Sequence, residues 1–138
     1  MTETITEAKP GDRMPDGTVY AGISPDTREP LYTTPGDARS TTFFGAERLT
    51  FTFNQAQHYA DGLDAHGHTD WRVPNKDELN VLFDNRAAIG GFDETGSYPA
   101  GCYWSSTEYN YDAWNQRFND GSQRYHYKIN DSSLRCVR

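Results

Sequence analysis

From residue 102 onward the chain offers only short extended segments separated by turn residues, which confines its C-terminal part to antiparallel sheet. The segments are 102–106, 113–118, 123–129 and 134–137. Links this short cannot carry a crossover to a parallel neighbour, which needs a dozen or more residues. The sharpest turn is Asn119-Asp120-Gly121, a strong hairpin signal. Along 113–118, Trp114, Gln116 and Phe118 share one face, and Ala113, Asn115 and Arg117 the other.

Upstream the apolar spacing becomes helical. Thr52 is placed to cap a helix whose face carries Phe53, Ala56, Ala60 and Leu63, with Gly62 weakening its last turn. Pro74 closes a strand, Asn75 caps, and Glu78 three residues on completes a capping box. Leu79, Leu82 and Phe83 form the buried stripe of this second helix, and Gly90-Gly91 end the pattern. Earlier still, 18–23 and 30–34 read as a strand and its return around the turn 24–27. Residues 35–48 read as loop, and 1–16 as a flexible lead-in to a single domain over 17–138. The expected class is α+β, with two helices packed on short antiparallel strands and an N-terminal hairpin.

Only 35% of the 138 residues are hydrophobic while 14% are aromatic, so the core leans on a few large side chains. Net charge is −7, unevenly spread: residues 1–108 hold 8 basic and 17 acidic groups, residues 109–138 hold 5 and 3. An acidic body opposes nucleic-acid binding, so no nucleic-acid partner is expected. No apolar run approaches the roughly 20 residues that span a bilayer, so no membrane insertion is expected. The start, Met1-Thr2-Glu3-Thr4-Ile5-Thr6-Glu7, lacks the apolar core of a signal peptide. The expected setting is cytoplasmic, or virion-borne or exported outside the Sec route. Cys102 and Cys136 make no disulfide framework, and they pair only if their strands are neighbours.

Between 109 and 133, 14 of 25 residues are Asn, Tyr, Asp or Ser. Tyrosine gives rigid amphipathic contact area at low entropy cost, and Asn and Ser give adaptable hydrogen bonds. The candidate ligand-binding residues are Tyr109, Tyr111, Asp112, Arg124, Tyr125, His126, Tyr127 and Asn130. A competing reading packs Tyr125, Tyr127 and Ile129 inward as one face of a strand, leaving Arg124, His126 and Lys128 outside. Trp71, Trp104, Trp114, Phe118 and Leu134 are expected as the frame. His58, His66 and His68 lie near Asp61, Asp64 and Asp70 without a recognised zinc spacing, so no metal or cofactor is expected. No Gly-x-Ser-x-Gly, phosphate loop or metalloprotease helix is present, and Ser105 and Ser106 have no identified base. A non-catalytic protein is expected.

Three motifs stand in order: Asp70-Trp71-Arg72-Val73-Pro74-Asn75-Lys76-Asp77-Glu78-Leu79, then Tyr103-Trp104-Ser105-Ser106-Thr107-Glu108, then Leu134-Arg135-Cys136-Val137-Arg138. Over roughly residues 45–138 this trio resembles the Lcl C-terminal domain family, whose members are similar to C-type lectin folds. Ala113-Trp114-Asn115-Gln116-Arg117-Phe118 with Asp120-Gly121 is similar to the bacterial and phage variable proteins rewritten by diversity-generating retroelements. That resemblance implies a hypervariable segment for binding a protein or a surface glycan, sometimes displayed on a homo-oligomer. Randomised adenines in Asn-type codons yield Tyr, His, Asp, Ser, Arg, Ile or Leu, but not Gln, Glu, Lys, Met or Trp. Trp114, Gln116, Gln123 and Lys128 would then be fixed, with Tyr111-Asp112 and Arg124-Tyr125-His126-Tyr127 as permitted products. The Glu-Pro-Asn or Gln-Pro-Asp signature of calcium-dependent sugar binding is absent, and Val73-Pro74-Asn75 lacks its carboxylate or amide. Two alternatives stand beside this reading: an invariant adhesion or structural domain of the same fold, and an enzyme of formylglycine-generating type using Cys102 or Cys136.

Overall fold

The computed structural model describes residues 8–41 and 45–138. β1 (Val19–Ile23) pairs antiparallel with β2 (Pro30–Thr33), and β3 (Ser40–Thr41) with β4 (Glu47–Arg48). Three helices follow, α1 (Phe53–Asp61), α2 (Lys76–Asp84) and the single turn α3 (Arg86–Ile89). β5 (Cys102–Tyr109), β6 (Asp112–Arg117) and β7 (Gln123–Tyr127) form an antiparallel sheet in the order β5-β6-β7. The architecture is therefore α+β with short antiparallel strands. Residues 1–7 of the expected lead-in lie outside the described residues. Residues 8–16 run against β1, with Gly11 N–H donating to Tyr20 O at 2.8 Å and Tyr20 N–H to Asp12 O at 2.9 Å.

Three expectations need correction. The loop expected over 35–48 contains the β3–β4 pair. The strand expected over 123–129 ends at Tyr127, because Lys128 N–H turns aside to Tyr111 O and Lys128 O accepts from Phe53 N–H. Residues 134–137 make no strand; Val137 forms single bridges to Thr33 and Arg72, and Ser133 bridges Tyr103 in parallel. That segment serves several neighbours one residue at a time, so no continuous ladder forms.

Both long helices begin on reciprocal capping boxes, Thr52 with Gln55 and Asn75 with Glu78. Each satisfies two backbone donors that a helix start otherwise leaves open. The sheet separates two cores. On one side Trp104 and Ala113 pack with Phe51, Phe53, Ala56, Ala60, Trp71 and Leu134. On the other, Tyr103 and Phe118 pack with Leu79, Leu82, Val19 and Leu31. α1 and α2 thus cover opposite faces, and the C-terminal segment sends Cys136 to the first core and Val137 to the second.

The three motifs hold one another. Arg72 and Val137 exchange both backbone hydrogen bonds at 2.9 Å, Ser106 N–H donates to Pro74 O, and Trp104 N–H donates to Ser133 O. Their charged side chains also turn inward or pair. Arg138 grips Asp70 through Nε at 2.7 Å and Nη2 at 3.0 Å. Arg72 forks onto the fully buried Glu78 at 2.5 and 2.8 Å, and Glu78 also accepts from Ser24 Oγ at 2.7 Å and Asn75 N–H at 3.1 Å. Burial works against the Glu78 carboxylate, yet the bonds from Arg72, Ser24 and Asn75 outweigh it and hold its pKa below the usual glutamate range.

A folded-state pKa lowered in this way contributes stability above the ordinary glutamate pKa of about 4.3, lost as pH falls through the folded value. Urea melts of the wild type and Glu78→Gln between about pH 7 and pH 3 should converge at the acid end. Parallel curves would show that Glu78 carries none of the acid sensitivity.

Candidate ligand-binding surface

α2 covers only one end of its sheet face. Gln116 Nε2 donates to Asn80 Oδ1 at 2.9 Å, and Gln123 Nε2 to Lys76 O at 3.2 Å. Lys76 is the first residue of α2, so cover stops there while the strands continue. Just beyond, Trp114 lies opposite Tyr125 in register, their ring centroids 4.0 Å apart. The Tyr109 ring meets Tyr125 at 5.0 Å, and the Lys76 ammonium sits 3.8 Å from the Trp114 centroid. This is an aromatic stripe set on paired strands, with an ammonium held by the ring's negative face.

The candidate tyrosines are on the surface. Tyr109 is 57% exposed, Tyr111 87%, Tyr125 45% and Tyr127 64%. They are therefore not the inner face of a strand. The β5–β6 turn is Asn110-Tyr111, since Tyr109 pairs with Asp112; Asn110 takes φ 56°, which Asn tolerates. Tyr111 stands at this tip and, with Asn110, Tyr127, Lys128 and Ile129, lines a shallow, mainly apolar cavity of about 310 Å³. Lys128 Nζ is engaged by Glu108 Oε1 at 2.6 Å.

Arg124 and His126 alternate to the opposite face, paired with Asn115 and Ala113. There His126 stacks on Tyr98 at 5.5 Å and 17°. Both border a 340 Å³ cavity with Arg117, Asn115 and Cys102. Burial lowers the His126 pKa, with Arg124 adding to the effect and Asp112 opposing it, so the imidazole is neutral at pH 7. Asn130 lies in the turn after β7, its N–H donating to Tyr127 O at 3.0 Å. The structure thus gathers Tyr109, Asp112, Tyr125 and Tyr127 on one face, sets Tyr111 at the tip, and parts them from Arg124 and His126.

Trp114 corrects the frame expected from sequence. Trp71, Trp104, Phe118 and Leu134 are buried, whereas Trp114 is half-buried and belongs to the exposed stripe. Its signal was available: the Asn119-Asp120-Gly121 hairpin pairs Gln116 with Gln123, and that register puts Trp114 opposite Tyr125. No comparable signal marked Lys76 or Tyr98, which reach the strands from elsewhere in the fold.

His66 and His68 both turn to Asp16, His68 Nε2 lying 2.8 Å from Oδ2 and His66 Nδ1 3.2 Å from the carbonyl oxygen. The Thr18 hydroxyl, and then His68, hold the Asp16 carboxyl well below the usual range. Among the described residues no group of three or more His, Cys, Asp or Glu is arranged to hold a metal ion. Cys102 and Cys136 are both free and buried. Burial pushes the Cys136 thiol up to about 12 and raises that of Cys102, so neither is held as a thiolate. No helix among the described residues is long and apolar enough to cross a membrane.

The family model described as Lcl C-terminal domain matches residues 28–138, a span that starts earlier than the motifs and takes in β2. No curated protein matches the chain significantly.

Proposed function

Because the chain belongs to the Lcl C-terminal domain family, we propose that it is a non-catalytic binding domain of C-type lectin type that displays the uncovered end of its β5–β7 sheet to a protein or a surface glycan. The stripe Tyr109–Tyr125–Trp114 carries this reading, because its tyrosines are exposed and its Trp114 part-exposed just beyond the start of α2, and the strands beneath brace it. Tyr and Trp in such positions dominate the energetics of recognition surfaces, since they bury large area for few frozen torsions. A net charge of −7 makes nucleic acid a poor partner. Display on a homo-oligomer would add avidity without new contacts.

Diversification of this surface is part of the proposal. The residues that randomised Asn codons permit, Tyr111, Asp112 and Arg124 to Tyr127, lie on the hairpin tip and strand faces, while Gln116 and Gln123 are hydrogen-bonded to α2. Trp114 is then a fixed member of the surface among variable ones. A reverse transcriptase gene and an adenine-rich near-copy of the segment's coding DNA should lie beside the gene. Their absence would favour an invariant adhesion domain of the same fold.

The binding test uses purified protein against a glycan panel and candidate surface proteins, with each hit repeated on Trp114→Ala and Tyr125→Ser. Both variants should lose roughly tenfold or more in affinity, about 1.4 kcal/mol. Trp114→Ala should cost only about 1–2 kcal/mol of stability, since the ring is only partly buried. Hits that both variants bind unchanged would overturn the proposed surface.

A further inference from the structure

The β5–β7 sheet ends in an open edge. Arg117 N–H donates to Ser122 O at 2.9 Å and Lys128 N–H to Tyr111 O at 3.1 Å, and the β6–β7 register between them runs without a shift. Hydrogen-bonded pairs alternate along an antiparallel ladder, so Arg124 and His126 turn their backbone groups toward β6. Gln123, Tyr125 and Tyr127 turn theirs outward. On that side β7 pairs with no strand among the described residues, and of the outward groups only Tyr127 O has a partner, Asn130 N–H at 3.0 Å. β7 carries no proline and no bulge, and none of its residues is buried. An unblunted edge of this kind is a template for a further strand.

We propose that this edge pairs antiparallel with β7 of a second copy of the chain about a two-fold axis at Tyr125, joining two three-stranded sheets into one. Outward residues must meet outward residues, and charge then places the axis. Centred on Tyr125, the register sets Arg124 opposite His126 of the partner subunit and Ser122 opposite Lys128 of the partner subunit, so no like charges meet while the imidazole is neutral. Centred one residue earlier, Arg124 faces Arg124 of the partner subunit; centred one later, it faces Lys128 of the partner subunit. Like charges directly opposite are destabilising, so both lose to the Tyr125 register. In that register Tyr125 exchanges both backbone bonds with Tyr125 of the partner subunit, and Gln123 pairs with Tyr127 of the partner subunit. β7 itself has no carboxylate, so the two edges meet without acid repulsion although the chain carries −7. Such a contact is self-complementary and closes as a dimer. Side chains stand roughly perpendicular to a sheet, so both faces stay open and the two aromatic stripes come to lie on one continuous surface. The pairing depends on the strand edge and not on what the stripe binds.

The test follows the purified chain by sedimentation velocity over a wide concentration range at neutral pH, with amide hydrogen exchange at each end of that range. A monomer–dimer equilibrium is expected. The Tyr125 and Tyr127 amides should gain protection as the dimer fills, whereas those of Arg124 and His126 should be protected throughout. Tyr125→Pro removes the central outward donor at a position where an edge strand tolerates proline, and should weaken the dimer roughly tenfold or more. His126→Lys should weaken it roughly fivefold and His126→Glu strengthen it by a similar factor, since each meets Arg124 of the partner subunit at two symmetric places. The His126 pair leaves the backbone untouched and decides the matter if Tyr125→Pro fails to fold. A monomer at every concentration, a dimer indifferent to these variants, or protection of the Tyr125 amide that does not rise with concentration would overturn the proposal. Protection that appears only with an extended peptide ligand would assign the edge to that ligand and also overturn self-pairing. A monomer whose ligand is still lost on Trp114→Ala would overturn the dimer and leave the display reading standing.

Discussion

Trp104→Ala is expected to destabilise the protein by about 3–5 kcal/mol. The indole is fully buried, lies edge-on to Phe53 with centroids 5.8 Å apart, and donates from Nε1 to Phe51 O at 2.7 Å. Its removal opens a cavity between β5 and the start of α1 and strips a donor from a carbonyl next to the Thr52 cap. Both losses fall in one place, so relaxation of either cannot relieve the other. Domains of this size have only about 5–15 kcal/mol in hand, so the variant should stand near the edge of folding. Denaturant melts should rank it far below Trp114→Ala. The reverse ranking would refute the division into a buried frame and an exposed stripe.

Arg135→Ala should cost a similar amount, about 3–5 kcal/mol, because it breaks a buried ion pair from one side. The guanidinium is fully enclosed. Nε meets Asp37 Oδ1 at 2.9 Å, Nη1 donates to Thr34 O at 2.9 Å and Nη2 to Gly90 O at 3.1 Å, while the group stacks 3.9 Å from the Phe92 centroid. Without it, the Thr34 and Gly90 carbonyls lose this donor and, among the described residues, Asp37 keeps the short hydrogen bond from Tyr103 Oη. Burial already raises the Asp37 pKa, and Arg135 is the largest opposing influence. A raised folded-state pKa gives stability present at low pH and lost as pH rises through that value. The variant should therefore lose more stability than the wild type as pH climbs from the carboxylate range toward neutral. Arg135→Lys should fall between the two, since it restores charge without the planar fork. A loss under about 1 kcal/mol at neutral pH in Arg135→Ala would show that Asp37 finds water instead.

Much of the frame was legible in the sequence. The Asn75–Glu78 capping box, the Thr52 cap and the Asn119-Asp120-Gly121 hairpin lie where expected, since each acts within a few residues. The segment 134–137 misled because its alternating pattern serves bridges to separate partners rather than one ladder. Among the site residues, strand alternation was enough to part Tyr125 and Tyr127 from Arg124 and His126. It carried no information on which of those faces another element would cover.

By itself, then, the sequence determined where helices start, where the strands turn, and which side chains share a strand face. Caps, turns and alternation are properties of neighbouring residues. The tertiary structure decided that α2 begins only at Lys76 and leaves Trp114 part-exposed, and that the Oδ1 atom of Asp112 is enclosed without a hydrogen-bond partner among the described residues. It also joined Arg135 to Asp37 across 98 residues of chain. Those outcomes depend on how far one packed element reaches over another, and no local pattern encodes that distance.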